Sequence, residues 1–173
     1  MGQKVNPIGL RLALNKNWSS KWFAKKDCFG DWLHEDVKIR TFIKKEYANA
    51  AISKVLIERY VNRVRATVYA ARPGQLVGAK GVELDKLKER VSKLLSKGQE
   101  LILDIVEVKQ PETSAQLVSE SVAQQLERRI GFRRAMKKAI QSAMQLGAEG
   151  IKIQCSGRIR KRMSHFTVVL TDE

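Results

Sequence analysis

The fold is decided by the stretch Arg72-Pro-Gly-Gln-Leu-Val-Gly-Ala-Lys-Gly81, which ends in the turn Gly78-Ala-Lys-Gly81. Two segments of alternating apolar residues precede this turn, and apolar residues at helical spacing follow it. The backbone amides of such a turn, and the N-terminus of the helix it opens, can face a phosphate without obstruction by side chains. Gly78, Ala79, Lys80 and Gly81 therefore form a candidate loop for binding a phosphate backbone.

The segments on either side of this loop define an order of elements. Upstream, a helix is predicted to begin with Asp36 as its N-cap, and two strands joined near Val61 and Asn62 form a hairpin. Downstream lie an amphipathic helix and a strand over Leu101–Lys109, which is rich in β-branched residues. The order helix-strand-strand-helix-helix-strand is that of a type II KH domain, whose loop clamps single-stranded backbone. The predicted fold class is α+β.

Other interpretations of the loop are weaker. A Walker loop needs Lys-Ser or Lys-Thr after its last glycine, and a dinucleotide fingerprint needs a Gly-x-Gly that is absent here. A plain turn between two short helices remains an alternative.

The charge of the chain indicates a polyanionic partner. Its 173 residues include 33 Lys and Arg against 18 Asp and Glu, a formal net charge of +15, while 43% of the residues are hydrophobic. That apolar content favours a folded core over disorder, so the excess charge lies on the surface of a folded body. Nucleic acid fits such a surface because each phosphate contact releases condensed counterions.

A second candidate site lies on a helix predicted over residues 132–146. Six basic residues occur between positions 128 and 138 with no acid among them: Arg128, Arg129, Arg133, Arg134, Lys137 and Lys138. The last four fall within an arc of about 140° at 100° per residue, which leaves the other side apolar. That core side is predicted to consist of Ala135, Met136, Ala139, Ile140 and Ala143. The cationic side is expected to contact mRNA or rRNA phosphates.

Further basic contacts are expected outside these two sites. Residues 1–28 form a basic N-terminal arm that is expected to dock its aromatic side chains, Trp18, Trp22 and Phe23, locally. The additional candidate contacts are Lys4, Arg11, Lys16, Lys21, Arg72, Arg158, Arg160, Lys161 and Arg162. The last four are interpreted as part of an exposed loop that contacts phosphates, and a flexible tail is the alternative interpretation.

Catalysis, metal binding and membrane insertion are poorly supported. The two histidines, His34 and His165, lie far apart in sequence, and the cysteines, Cys28 and Cys155, show no zinc-ligand spacing. We expect no enzyme activity, no cofactor and no metal.

No apolar run approaches the roughly 18 residues of a membrane helix, and the N-terminus lacks the apolar core of a signal peptide. Two unpaired thiols fit a reducing compartment.

Several segments, taken in order, resemble one family: the third protein of the small ribosomal subunit, of bacterial or organellar type. The matching segments are Met1-Gly-Gln-Lys-Val-Asn-Pro-Ile-Gly-Leu-Arg-Leu, Ala71-Arg-Pro-Gly-Gln-Leu-Val-Gly-Ala-Lys-Gly, Gln125-Leu-Glu-Arg-Arg, Phe132-Arg-Arg-Ala-Met-Lys-Lys-Ala, Leu146-Gly-Ala-Glu-Gly-Ile-Lys and Ser156-Gly-Arg. They cover roughly residues 1–158 and are highly specific in combination.

The resemblance implies a type II KH domain over residues 29–110 and a smaller two-layer α/β C-terminal domain over 111–173. It implies a structural protein of the subunit head that binds small-subunit rRNA, lines the channel through which mRNA enters, and contacts neighbouring head proteins. The residues matching Arg133, Arg134 and Lys137 face mRNA in that family. The implied location is a bacterial cytoplasmic ribosome, or an organelle stroma or matrix. No membrane contact and no homo-oligomer are expected.

Two departures from the family pattern stand out. Ala79 replaces one of two basic residues common in the family loop, which predicts weaker phosphate contact there. After Ser156-Gly-Arg the chain runs Ile159-Arg-Lys-Arg-Met-Ser-His-Phe and ends at Glu173, so the C-terminal sheet is expected to be shortened. A free-standing KH-type RNA-binding protein or RNA chaperone remains the alternative function.

Overall fold

The computed structural model describes residues 2–12, 14–78, 81–96, 99–157 and, for the backbone, 166–171. The elements in chain order are α1 (Pro7–Arg11), β1 (Ser20–Lys21), α2 (Lys26–Glu46), β2 (Ile52–Arg59), β3 (Arg63–Ala70), α3 (Pro73–Val77), α4 (Val82–Ser92), β4 (Glu100–Glu107), α5 (Ala115–Glu127), α6 (Phe132–Gln145), β5 (Lys152–Gly157) and β6 (Phe166–Thr171). From α2 to β4, the predicted order of the KH domain is confirmed.

The first sheet has four strands in the order β1-β2-β3-β4. The predicted hairpin is present, with β2 antiparallel to β3 and its turn closed by the Tyr60 amide, which donates to the Arg63 carbonyl over 2.8 Å. β4 runs parallel to β3, so the chain must cross over between them through α3 and α4. β1 adds a short parallel strand along β2 that the sequence pattern did not predict.

The main core lies on the face of this sheet that the helices cover. Alternate residues of β3, from Val64 to Ala70, are fully buried, as the period-two pattern predicts. Ile39 and Ile43 of α2 and Leu87 and Val91 of α4 are buried in the same cluster. Burying each large aliphatic side chain contributes roughly 1.5–3 kcal/mol. This packing fixes where α4 starts. It therefore also fixes the end of the turn Gly78-Ala-Lys-Gly81, which is called the glycine loop below.

Helix α2 corrects one prediction. Asp36 does not cap the helix: α2 starts ten residues earlier, at Lys26, and Asp36 lies in its middle with no exposed surface. The carboxylate is buried because four donors satisfy it, the Ser20 hydroxyl, the Trp22 indole N–H and two N–H groups of Arg59. A residue type typical of helix starts is used here to bind the arm and β2 to the helix.

The C-terminal part packs α5 and α6 with the antiparallel pair β5–β6. Its core is small, with Val118, Val122 and Leu126 of α5 buried against neighbours that include Phe132. Ser114 occupies the N-cap position of α5 without a side-chain cap bond, and its hydroxyl instead lies 3.0 Å from that of Ser53 on β2. The two-layer α/β arrangement is confirmed.

Helix α6 corrects a second prediction. Ala135 and Ala143 are buried and Met136 and Ala139 are half-buried, but Ile140, predicted to be in the core, is exposed. The buried seam follows the two small alanines, and Ile140 lies about 100° around the helix from the middle of that seam. The outward surface of α6 therefore includes an aliphatic side chain.

Candidate nucleic-acid interface

The cationic surface of α6 is exposed, as predicted. Arg133, Arg134, Lys137 and Lys138 all point away from the buried alanine seam. The helix begins after Gly131 with no acidic residue in its first turn, and it also lacks an acid in its last turn. The four charges thus remain concentrated on one side of a rigid helix.

The ion pairs separate this helix from the cations of the KH sheet. Within the described ranges, every ion pair joins residues that lie between positions 21 and 104. On the KH sheet, for example, Arg63 pairs with Glu100 at 3.0 Å and Arg65 with Asp104 at 3.1 Å. The α6 cations have no such carboxylate partner among the described residues, so their charge stays available to an external anion.

Arg128 and Arg129 extend the α6 surface through the link from α5. Arg129 has a φ of 61°, the left-handed conformation that usually falls to glycine after a helix. Its amide donates to the Leu126 carbonyl, and the Ile130 amide donates to the Gln125 carbonyl over 3.0 Å, which ends α5 in a Schellman-type turn. A strained, exposed arginine thus stands beside the α6 cations.

The glycine loop is described at its two ends. Gly78 and Gly81 have φ values of 67° and 81°, so both use the backbone freedom that the sequence predicted for them. Ala79 and Lys80 lie outside the described residues. Gly78 has a second constraint, since a Cβ there would lie 2.6 Å from Cγ of Glu83. The loop's role in RNA binding stays a prediction.

The N-terminus of α4, next to this loop, carries its own acids. Glu83 and Asp85 lie in the first turn, where carboxylates interact favourably with the helix dipole. Glu83 pairs with Lys86 at 2.8 Å. Burial raises the pKa of the Tyr47 hydroxyl, and the charge of Glu83 raises it further. A phosphate approaching this helix start therefore meets a negative field as well as backbone amides.

The N-terminal arm places its candidate contacts differently. Lys4 and Lys16 are exposed, whereas Arg11 donates to the Pro7 carbonyl over 3.2 Å and Lys21 lies 3.9 Å from Glu58. Arg72, which precedes α3, is also exposed. The basic run Arg158, Arg160, Lys161 and Arg162 lies outside the described residues, as does His165.

The aromatic side chains of the arm do not all dock as expected. Trp22 packs its ring 5.4 Å from that of Phe29 and 5.7 Å from that of Trp32, and its N–H reaches Asp36 over 2.8 Å. Trp18 and Phe23 are exposed. The prediction of local docking is therefore right for Trp22, which packs on two aromatic rings and donates to a buried carboxylate, and wrong for the other two.

Sequence reasoning also left out cations of α2. Lys38, Lys44 and Lys45 are exposed and have no ion-pair partner among the described residues. Their signal was visible as a run of basic residues in the second half of the helix, where only Glu46 is acidic after Asp36.

Other kinds of site find little support in the described part of the chain. Its His, Cys, Asp and Glu side chains form no group of three or more that could hold a metal ion. None of its helices combines the length and apolar character that a membrane span requires.

Comparison with known proteins agrees with the fold. Residues 38–113 match the family described as KH domain, and residues 122–171 match the family described as ribosomal protein S3, C-terminal domain. Fold and surface together define a KH-domain protein of the RNA-binding class with a second α/β unit. The predicted boundaries at residues 28 and 110 stay predictions.

Curated relatives narrow the class further. Proteins called small ribosomal subunit protein uS3 match over 159 residues, 92% of this chain, with 55% identity in Methylocella silvestris, 52% in Akkermansia muciniphila and 53% in Syntrophus aciditrophicus. The match covers 66%, 69% and 72% of those proteins, so the chain spans about two thirds of their length. The chain belongs to the uS3 family.

Proposed function

We propose that this chain is a structural, non-enzymatic constituent of the small ribosomal subunit. It binds small-subunit rRNA in the head, contacts neighbouring head proteins and lines the channel through which mRNA enters. Its location is the ribosome of a bacterial cytoplasm, in keeping with the bacterial sources of the uS3 relatives. Within this function, the cations of α6 bind the phosphates of incoming mRNA.

The observation that carries the α6 assignment is the contrast between paired and unpaired cations. Arg63 and Arg65 on the KH sheet are neutralised by carboxylates of β4. Arg133, Arg134 and Lys137 are also exposed but have no carboxylate partner in the described ranges. Cations without internal partners gain most from a phosphate, because no existing pair has to be broken.

The test replaces Arg133, Arg134 and Lys137 by Ala in ribosomes. No core atom is lost and alanine is the best helix former, so α6 and subunit assembly should survive. Cations that grip separated strands favour the open form of RNA. Mutant ribosomes should therefore translate unstructured messages normally and slow on messages with a stable downstream hairpin.

A matched control removes three cations that do have partners, Arg65, Arg90 and Lys93. This variant should leave translation of structured messages unchanged. Loss of the α6 variant from purified subunits would instead show that these residues anchor the protein to rRNA. Equal slowing on both kinds of message would also remove the mRNA role. A large free pool of the protein in a lysate at moderate salt would favour a free-standing RNA-binding protein.

A further inference from the structure

The outward surface of α6 changes character along its length. The four cations occupy the first two turns, and no charged residue follows before the helix ends at Gln145. The exposed residues of the second half are Ile140, Gln141, Met144 and Gln145. One helix thus presents a cationic half followed by a neutral half made of aliphatic and amide side chains.

The two halves share one line on the helix. At 100° per residue, Arg133, Lys137, Ile140 and Met144 fall within an arc of about 60°. Ile140 is 39% exposed and Met144 is 49% exposed. Any strand whose phosphates contact Arg133 and Lys137 can continue over Ile140 and Met144.

We infer that the second half of α6, centred on Ile140 and Met144, is a contact surface for the bases of an unpaired RNA strand. The inference rests on the proposed function, because the adjoining cations are what bring a polyanion to this face. Aliphatic side chains and neutral amides have little to offer a phosphate. Unstacked bases, in contrast, present apolar faces and hydrogen-bonding edges.

This layout discriminates between single and paired strands. A duplex keeps its base faces stacked and presents mainly phosphates and sugars to the protein, so it gains only from the cationic half. An unpaired strand gains from both halves. The difference in affinity favours the separated state of a message, which links the chemistry of Ile140 and Met144 to the opening of RNA structure.

The experiment measures binding of the full chain to three RNA probes: a uridine oligonucleotide, an abasic ribose-phosphate strand of equal length and a perfect duplex. The variant is Ile140→Ala with Met144→Ala, which removes apolar contact surface, leaves the charge unchanged and uses the best helix former. We expect about fivefold weaker binding to the uridine strand, as lost apolar burial predicts, with unchanged binding to the other two probes.

A control of the same kind exists on α2. Phe29 and Leu33 have the same i,i+4 spacing and similar exposure, 49% and 44%, and they lie in a segment, residues 27–36, that holds four acids and no Lys or Arg. Phe29→Ala with Leu33→Ala should leave all three affinities unchanged. Thermal unfolding followed by circular dichroism verifies that both double variants are folded.

Failure of the inference and failure of the proposed function give different results. Unchanged affinity of the Ile140 and Met144 variant for the uridine strand overturns the inference. Equal loss on all three probes also overturns it, since the substitution then acts on the helix and not on base contact. Normal RNA binding with depletion of the variant from subunits would assign this face to a neighbouring protein. Arg133→Ala with Lys137→Ala should weaken binding to all three probes, and the absence of that effect would refute phosphate binding by α6 itself.

Discussion

Replacing Asp36 by Ala should destabilise the KH domain more than the loss of any surface ion pair. Arg59 has its guanidinium fully buried, and Asp36 accepts from its Nε and Nη2 over 2.9 and 2.7 Å. Removing one partner of a buried pair typically costs about 3–5 kcal/mol, because the other charge stays buried without compensation. Arg59 keeps Glu35 at 2.9 Å, which places the expected cost near the lower limit, about 3 kcal/mol.

The matched control is Asp104→Ala. Asp104 pairs with Arg65 at 3.1 Å, but both side chains are 45% exposed, so this loss should cost at most about 1 kcal/mol. Urea unfolding followed by circular dichroism gives both free energies of unfolding by linear extrapolation. A cost for Asp36→Ala within 1 kcal/mol of the control would contradict the reasoning.

A double variant tests the cause of this cost. Asp36→Leu with Arg59→Met removes both charges and keeps an apolar volume, which in other buried pairs is neutral or stabilising. It should be more stable than Asp36→Ala. If instead it is equally unstable, packing and lost hydrogen bonds from Ser20 and Trp22 would explain the effect, and an uncompensated charge would not.

Three further predictions concern backbone strain and a thiol. Gly78→Ala should cost about 2 kcal/mol or more, since the new Cβ meets Glu83 at 2.6 Å, whereas Gly81→Ala, with open space around it, should cost only about 1 kcal/mol for its positive φ. Arg129→Gly should stabilise the chain by about 1 kcal/mol, because glycine adopts the positive φ of this position without strain, whereas Arg129→Ala should not. Both variants should weaken RNA binding equally if only the guanidinium contributes to binding. Burial raises the pKa of the Cys155 thiol, so Cys155 should react with iodoacetamide at pH 8 more slowly than the exposed Cys28. The free energy of unfolding should fall as the pH rises above about 8.5, because the thiol ionises first in the unfolded chain.

The sequence predicts the order of elements because each element has a clear period. β3 alternates strictly and was placed correctly, and the glycine loop indicated where α4 begins. The start of α2 was misjudged because Asp36 is a residue type that favours helix N-caps, and only its partner Arg59, 23 residues further along, explains its burial. β1 has two residues, too few to show any period.

The candidate site was predictable in its position but not in its boundaries. The acid-free run from 128 to 138 pointed to α6, and its four cations are exposed on one side. The helical spacing places Ile140 in the core, because the sequence pattern alone does not distinguish an apolar residue inside the buried seam from one at its side. The exact rotation of a helix depends on the small residues, here Ala135 and Ala143, through which it approaches its neighbours.

Whether a cation is available to a ligand is a property that only the folded chain reveals. Two pairs of arginines have a similar local sequence, since each pair lies in a short basic segment: Arg63 with Arg65, and Arg133 with Arg134. The first pair is neutralised by acids of β4, which the parallel pairing of β3 and β4 brings alongside. The second pair lies on a helix whose described neighbours supply no carboxylate. Net charge therefore indicates the kind of partner, while the pattern of internal ion pairs shows which cationic faces are available to it.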